Sequence, residues 1–226
     1  MSRESFLSRV RESAAAGRAY RVHVRDDLPA NTGYCGAGAD PPLRLAEEIR
    51  AVGGQAHLVI DRDAARTLLA QLLEQHSVRS ALCWQHPVLD RLGLSELLSE
   101  RGITSLSHAT LGDLNLPEQR RTMLAADAGI SSVSFAVAET GTLALASAPG
   151  QERLASLAPP VHIAVVEADQ VVPDLFDLFE RIAAEGNERM ASNWALITGP
   201  SKTGDIELTL TTGVHGPGTW HVIIVR

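Results

Sequence analysis

Val161-His162-Ile163-Ala164-Val165-Val166 is a six-residue run with a single polar side chain. A strand with one face in water alternates apolar and polar residues; a strand covered on both faces has no need to. The run therefore predicts a strand held between two helical layers. Outward from it, 219–225 reads the same way, as do Gln55–Ile60, Val78–Trp84 and 194–198, with a shorter strand at Ile103–Leu106. Between these lie helical patterns. Leu43, Ala46, Ile49 and Val52 recur at threes over 43–52, and Gly53-Gly54 ends that helix. Leu68, Leu69, Leu72 and Leu73 mark a helix over 62–75. Further helices are predicted over about 87–100, over 117–128 with Pro117 in the first turn, and over 151–158 and 173–185. Strands and helices in alternation predict an α/β chain, a three-layer α/β/α sandwich with a mostly parallel sheet.

Two segments break the rhythm. Ser131–Ala138 and Thr142–Ser147 are small-residue stretches around Glu139-Thr140-Gly141, the pattern of an antiparallel pair about a tight turn. Before residue 43, a short amphipathic helix over 2–17 (Phe6 and Val10 four apart) precedes a breaker-rich stretch at 26–42 holding Pro29, Gly33, Gly36, Gly38 and Pro41-Pro42. The expected division is residues 1–42 as N-terminal helix and irregular loop, and 43–226 as the α/β domain. The loop reads equally as a binding arm and as a disordered insertion.

Composition excludes several functions. The 226 residues are 45% hydrophobic and carry a net charge of −7, against the basic balance that phosphate contacts require. Nine aromatic residues leave little for base stacking. No apolar run reaches the ~20 residues of a membrane-spanning helix, and Met1-Ser2-Arg3-Glu4-Ser5 lacks a signal-peptide layout. The expectation is a cytoplasmic protein binding neither nucleic acid nor membrane. Two distant cysteines, Cys35 and Cys83, cannot supply the four thiolates of an iron–sulfur or zinc site. The histidines show no paired metal-ligand spacing, so no metal site is expected. His57 and His162, inside apolar strands, read as satisfied core residues.

Three segments carry chemistry. Gly199-Pro200-Ser201-Lys202-Thr203-Gly204-Asp205-Ile206-Glu207 follows a strand, and such a turn can aim N–H groups, hydroxyls and one lysine charge at an anion. It lacks the glycine before lysine that a P-loop needs. The alternative is helix capping by Ser201 or Thr203; Ile206, Leu208 and Leu210 fit strand and helix equally. Gly213-Val214-His215-Gly216-Pro217-Gly218 holds one histidine in a tight turn, suited to acid–base work or to a plain backbone bond. Glu139-Thr140-Gly141-Thr142 offers a carboxylate and two hydroxyls between strands, as nucleophile, base, ligand partner or ordinary turn.

Together, in this order and spacing, these segments and Ala126-Asp127-Ala128-Gly129-Ile130-Ser131 resemble the LUD-domain family, in its lactate-utilisation C branch. The resemblance runs from about residue 117 to the C-terminus. Lys202 and Gly204 stand where arginine and alanine are expected. The resemblance implies an α/β/α fold of the NagB/RpiA/CoA-transferase type. It also implies a cluster-free role in bacterial L-lactate oxidation to pyruvate, beside cysteine-rich iron–sulfur partners that hold the clusters. The motif positions carried over are Glu139, Thr140, Gly141 and Thr142, then Ser201, Lys202, Thr203, Asp205 and Glu207, then His215 and Gly216. They form a candidate pocket for a small anionic ligand, with Glu139 and His215 as its candidate catalytic groups. Lys202 would pair with a ligand carboxylate, an interaction of about 1.5–3 kcal/mol. The rivals are a free-standing enzyme of the 5-formyltetrahydrofolate cyclo-ligase or CoA-transferase type, and a structural scaffold docking through the 26–42 loop.

Overall fold

The computed structural model describes residues 3–18, 36–186, 190–204 and 210–226. The chain divides into two compact units, Met1–Tyr34 and Cys35–Arg226. In the first unit, α1 (Arg3–Arg18) carries the predicted stripe, with Phe6 and Val10 exposed. Of the predicted 26–42 loop, residues 26–35 lie outside the described residues, and Pro41-Pro42 form the first turn of the next helix.

In chain order the second unit runs α2 (Pro41–Ala51), β1 (Gln55–Val59), α3 (Arg62–Gln75), β2 (Ser80–Cys83), α4 (Pro87–Arg91), α5 (Leu94–Glu100), β3 (Thr104–Leu106), α6 (His108–Gly112) and α7 (Leu116–Leu124). It continues with β4 (Ala128–Ser131), β5 (Phe135–Val137), β6 (Thr142–Ala146), β7 (Val161–Glu167), β8 (Val171–Val172), α8 (Leu175–Ala184), β9 (Trp194–Ile197), β10 (Lys202–Gly204), β11 (Leu210–Thr212) and β12 (Thr219–Val225). Six strands form one sheet in the order β1-β12-β7-β4-β2-β3, with every neighbouring pair parallel. All seven residues of β7 are buried, as a strand without apolar–polar alternation demands. This is the expected three-layer α/β/α arrangement.

Local sequence explains the helix starts. Asp40 caps α2 by accepting from Leu43 N, Asp61 caps α3 by accepting from Ala64 N, and Asn115 with Glu118 forms a capping box on α7. Ile49 of α2 packs near Trp220 of β12, against Gly54, where a Cβ would stand 2.5 Å from Trp220 Cε3. His221, the next residue along β12, belongs to the opposite face and meets α3's C-cap His76 at 2.9 Å.

The structure departs from the periodicity in four places. The helix predicted over 117–128 ends at Leu124, because Ala128–Ser131 is a strand of the large sheet. Its Gly129 is required: a Cβ there would lie 1.6 Å from the Ala155 carbonyl oxygen. The helix predicted over 151–158 is one 3₁₀ turn, Arg153–Ser156, followed by Pro159-Pro160, which disfavour further helix. The hairpin β5–β6 forms as expected but belongs to a second, four-stranded sheet, β8-β5-β6-β9, which has its own small core with Leu178 and Ile182 of α8. Finally, Lys202–Gly204 pairs antiparallel with Leu210–Thr212. Thr203 therefore lies inside a strand pair and Ser201 immediately before it, where the sequence had allowed a helix cap.

Candidate functional site

The Glu139 turn is fixed from below by α2. Gly141 has φ +65°, and a Cβ on it would stand 2.7 Å from the backbone of Glu48 and Ile49, so only glycine lets the turn lie on the helix. Its hydroxyls form a chain: Thr140 Oγ1 to Thr142 Oγ1 at 2.7 Å, and Thr142 Oγ1 to Thr198 Oγ1 at 2.8 Å. Thr142 is buried, so this chain ties the turn to the end of β9. Glu139 is half-buried; its Oε1 accepts from Gly36 N at 3.2 Å and its own N donates to Pro173 O.

From Thr198 the chain passes through Gly199 and Pro200 to Ser201, which joins the His215 turn through the backbone. Ser201 N donates to Pro217 O at 2.9 Å, and Gly213 N donates to Ser201 O at 3.0 Å. The two segments, at the open end of the β10–β11 pair, are thus one zippered structure. Between them, β7 and β12 lies a cleft of about 250 Å³. Thr198, Ser201, His215 and Gly216 line it, and His215 is exposed.

The other expected residues lie elsewhere. Glu139, Thr140, Gly141 and Thr142 are not in the cleft wall; they connect to it through Thr198. Lys202 is exposed, and its Nζ donates to Val52 O at 2.7 Å. That carbonyl is at the C-cap of α2, where helix carbonyls are unpaired and a cation is favoured. Lys202 therefore staples the hairpin to α2. Thr203 lies in β10 outside the cleft lining, and Asp205 and Glu207 lie outside the described residues.

The cleft wall also contains two residues that the sequence reading did not assign to a site, His162 and Trp220. They are partners in register on adjacent strands β7 and β12, and so project from the same face of the sheet. Both are almost wholly buried, at 1% and 2% exposure. His162 Nε2 lies 2.9 Å from Ser131 Oγ, while His162 Nδ1 and Trp220 Nε1 have no partner among the described residues. The expectation of a satisfied core histidine is therefore corrected: this imidazole is satisfied on one side only. Burial pushes its pKa down to about 3, so it is neutral at pH 7. Each unpaired buried donor costs about 1–3 kcal/mol. The available signal was a polar residue inside an apolar run, but its register with Trp220 is a long-range property.

Elsewhere, His57 Nε2 lies 3.2 Å from His221 Nδ1, whose Nε2 contacts His76. Burial, then the neighbouring imidazoles, pull His221 down to about 4. At the carboxyl ends of the strands, Glu167 accepts from both Arg62 and Arg91. Among the described residues, no group of three or more His, Cys, Asp or Glu side chains is arranged to hold a metal, and no helix is long and apolar enough to cross a membrane.

Comparison with known proteins places this geometry. A lactate utilization protein C of Halalkalibacterium halodurans is 28% identical over 220 residues, covering 95% of this chain and 94% of that protein. Another, from a Geobacillus species, is 30% identical over 166 residues, covering 70% and 66%. The crystal structure of a DUF162 family protein from Deinococcus radiodurans matches with a TM-score of 0.58 at 24% identity, over 83% of this chain and 98% of that one, and supports the fold. The LUD domain model matches residues 43–225, spanning the whole α/β sandwich from α2 to β12, and the chain belongs to the LUD domain family.

Proposed function

We propose that this chain serves lactate utilisation as a cluster-free cytoplasmic component of L-lactate oxidation to pyruvate, acting beside iron–sulfur partner proteins. Its own task is to bind a small carboxylate in the cleft between the Ser201 and His215 turns. The observation that carries this reading is the convergence of two family-resembling turns on one small cleft, in a chain whose curated relatives include proteins named for lactate utilisation. Composition supports the division of labour: two cysteines, with Cys83 buried, leave electron transfer to the partners. His215, exposed on the cleft wall, is placed to exchange a proton with a bound hydroxy or oxo group.

The test is genetic and biochemical. Deleting the gene for this chain from its host abolishes growth on L-lactate but not on glucose, and the intact gene restores it. Undiminished growth on lactate overturns the role. Capture by the tagged chain of cysteine-rich proteins with iron–sulfur absorbance supports the partnership, and their absence from lactate-grown cells' captured material overturns it.

A further inference from the structure

The buried pair beneath the cleft has a defined donor character. His162 is neutral at pH 7, so one ring nitrogen carries the proton. Ser131 is fully buried and its hydroxyl has a single partner among the described residues, His162 Nε2 at 2.9 Å. A buried hydroxyl donates where it can, and this hydroxyl's available acceptor is Nε2. The hydrogen-bond network thereby assigns the proton to Nδ1. Trp220 Nε1 is a donor in every state. Its Cε3–Cζ3 edge is pressed against Gly54, leaving the nitrogen on the far side of the indole. The floor thus holds two buried N–H donors, in register on one sheet face, with no acceptor of their own among the described residues. Among the described residues, no lysine, arginine or carboxylate lines the cleft.

We infer that His162 Nδ1–H and Trp220 Nε1–H form an oxygen-binding subsite, which takes the carboxylate or adjacent 2-oxygen of a short 2-hydroxy or 2-oxo acid. This rests on the proposed function and deepens it, by assigning anion recognition to neutral donors on the sheet and not to Lys202. Neutral donors suit a buried floor, because an unpaired cation there would be far more costly to desolvate than an unpaired N–H. Leu157 and Leu196 line the same cleft and are 40% and 45% exposed, whereas both N–H atoms are closed to solvent, so an acid reaching them must displace cleft side chains. Ser201 and His215 remain on the wall to contact the rest of the molecule.

The experiment is an NMR titration of the full ¹⁵N-labelled chain with sodium L-lactate and sodium pyruvate, with sodium chloride as control. The Trp220 indole resonance is identified by its loss in Trp220→Phe. A saturable shift of that resonance with either acid, together with the Ser201 and Gly216 amides, supports the subsite. Trp220→Phe and His162→Phe should each weaken binding about tenfold, the effect of one hydrogen bond, whereas Lys202→Met should leave it unchanged. Long-range ¹⁵N spectra of the free protein should show His162 protonated at Nδ1; protonation at Nε2 overturns the donor assignment without any ligand. If the Ser201 and Gly216 amides saturate while the Trp220 indole stays fixed, the subsite is wrong and the cleft reading stands. If no cleft resonance moves with either acid, both are overturned, while the growth phenotype still tests the role in lactate utilisation.

Discussion

Lowering the pH from 7.5 to 4.5 should destabilise this protein through its buried histidines. His162 is held near 3 in the fold by burial, against about 6.5 in an unfolded chain. A histidine with a depressed native pKa contributes stability that is complete above 6.5 and lost as pH falls toward its native value. Each pH unit inside that window costs about 1.4 kcal/mol, because the unfolded state binds one more proton. Between 6.5 and 4.5 the loss from His162 alone is about 3 kcal/mol, and the full shift corresponds to about 5 kcal/mol. His221, lowered to about 4, adds a loss of the same sign. The carboxyls of Asp127 and Glu167 are held below their ordinary range, since hydrogen bonds from Arg79 and Ser80, and from Arg91 and Arg62, outweigh burial. They titrate beneath this window. Urea unfolding followed by circular dichroism at half-unit pH steps reads the effect directly, as a midpoint falling by about 1–2 M between pH 6.5 and 4.5. His162→Gln should flatten the slope by about 1.4 kcal/mol per pH unit. A midpoint constant from pH 7.5 to 4.5, or a slope unaltered by His162→Gln, would refute the reasoning.

Gly129→Ala places a methyl group 1.6 Å from a backbone oxygen and should cost at least about 3 kcal/mol, lowering the melting midpoint by roughly 6–12 °C; a shift under 2 °C contradicts the packing of the 3₁₀ turn on β4. Gly141→Ala combines a left-handed residue with contact on the α2 backbone and should cost about 2–4 kcal/mol, whereas Gly102→Ala, equally left-handed but with open space around it, should cost about 1–2 kcal/mol by the same thermal assay. Burial pushes the Cys83 thiol up to about 11, so in a Cys35→Ser background a thiol reagent at pH 8 should label the native protein slowly and the urea-unfolded chain at once; equal rates would place Cys83 at the surface.

The layers were legible because β7 and β12 lack the apolar–polar alternation of a half-exposed strand and α3 repeats its leucines between capping Asp61 and Gln75. β4 was hidden because Ala128-Gly129-Ile130-Ser131 is small and short, and its glycine reflects contact with a turn 26 residues downstream. The separation of β5, β6, β8 and β9 into a second sheet rests on pairings that leave no local periodicity. The site shows the same division. Spacing marked Ser201 and His215, and the backbone brings them together. Lys202 was read as free to meet an anion because its partner, the Val52 carbonyl, lies 150 residues away. His162 looked like an ordinary core residue; its register with Trp220 makes the pair visible.

A crystal structure of the chain grown with pyruvate tests the account most directly. The carboxylate is predicted within hydrogen-bonding distance of Trp220 Nε1 and His162 Nδ1, with Ser201 and His215 around the remainder. Pyruvate bound instead against Glu139 or Lys202, with the space beside Trp220 and His162 unchanged, would contradict it.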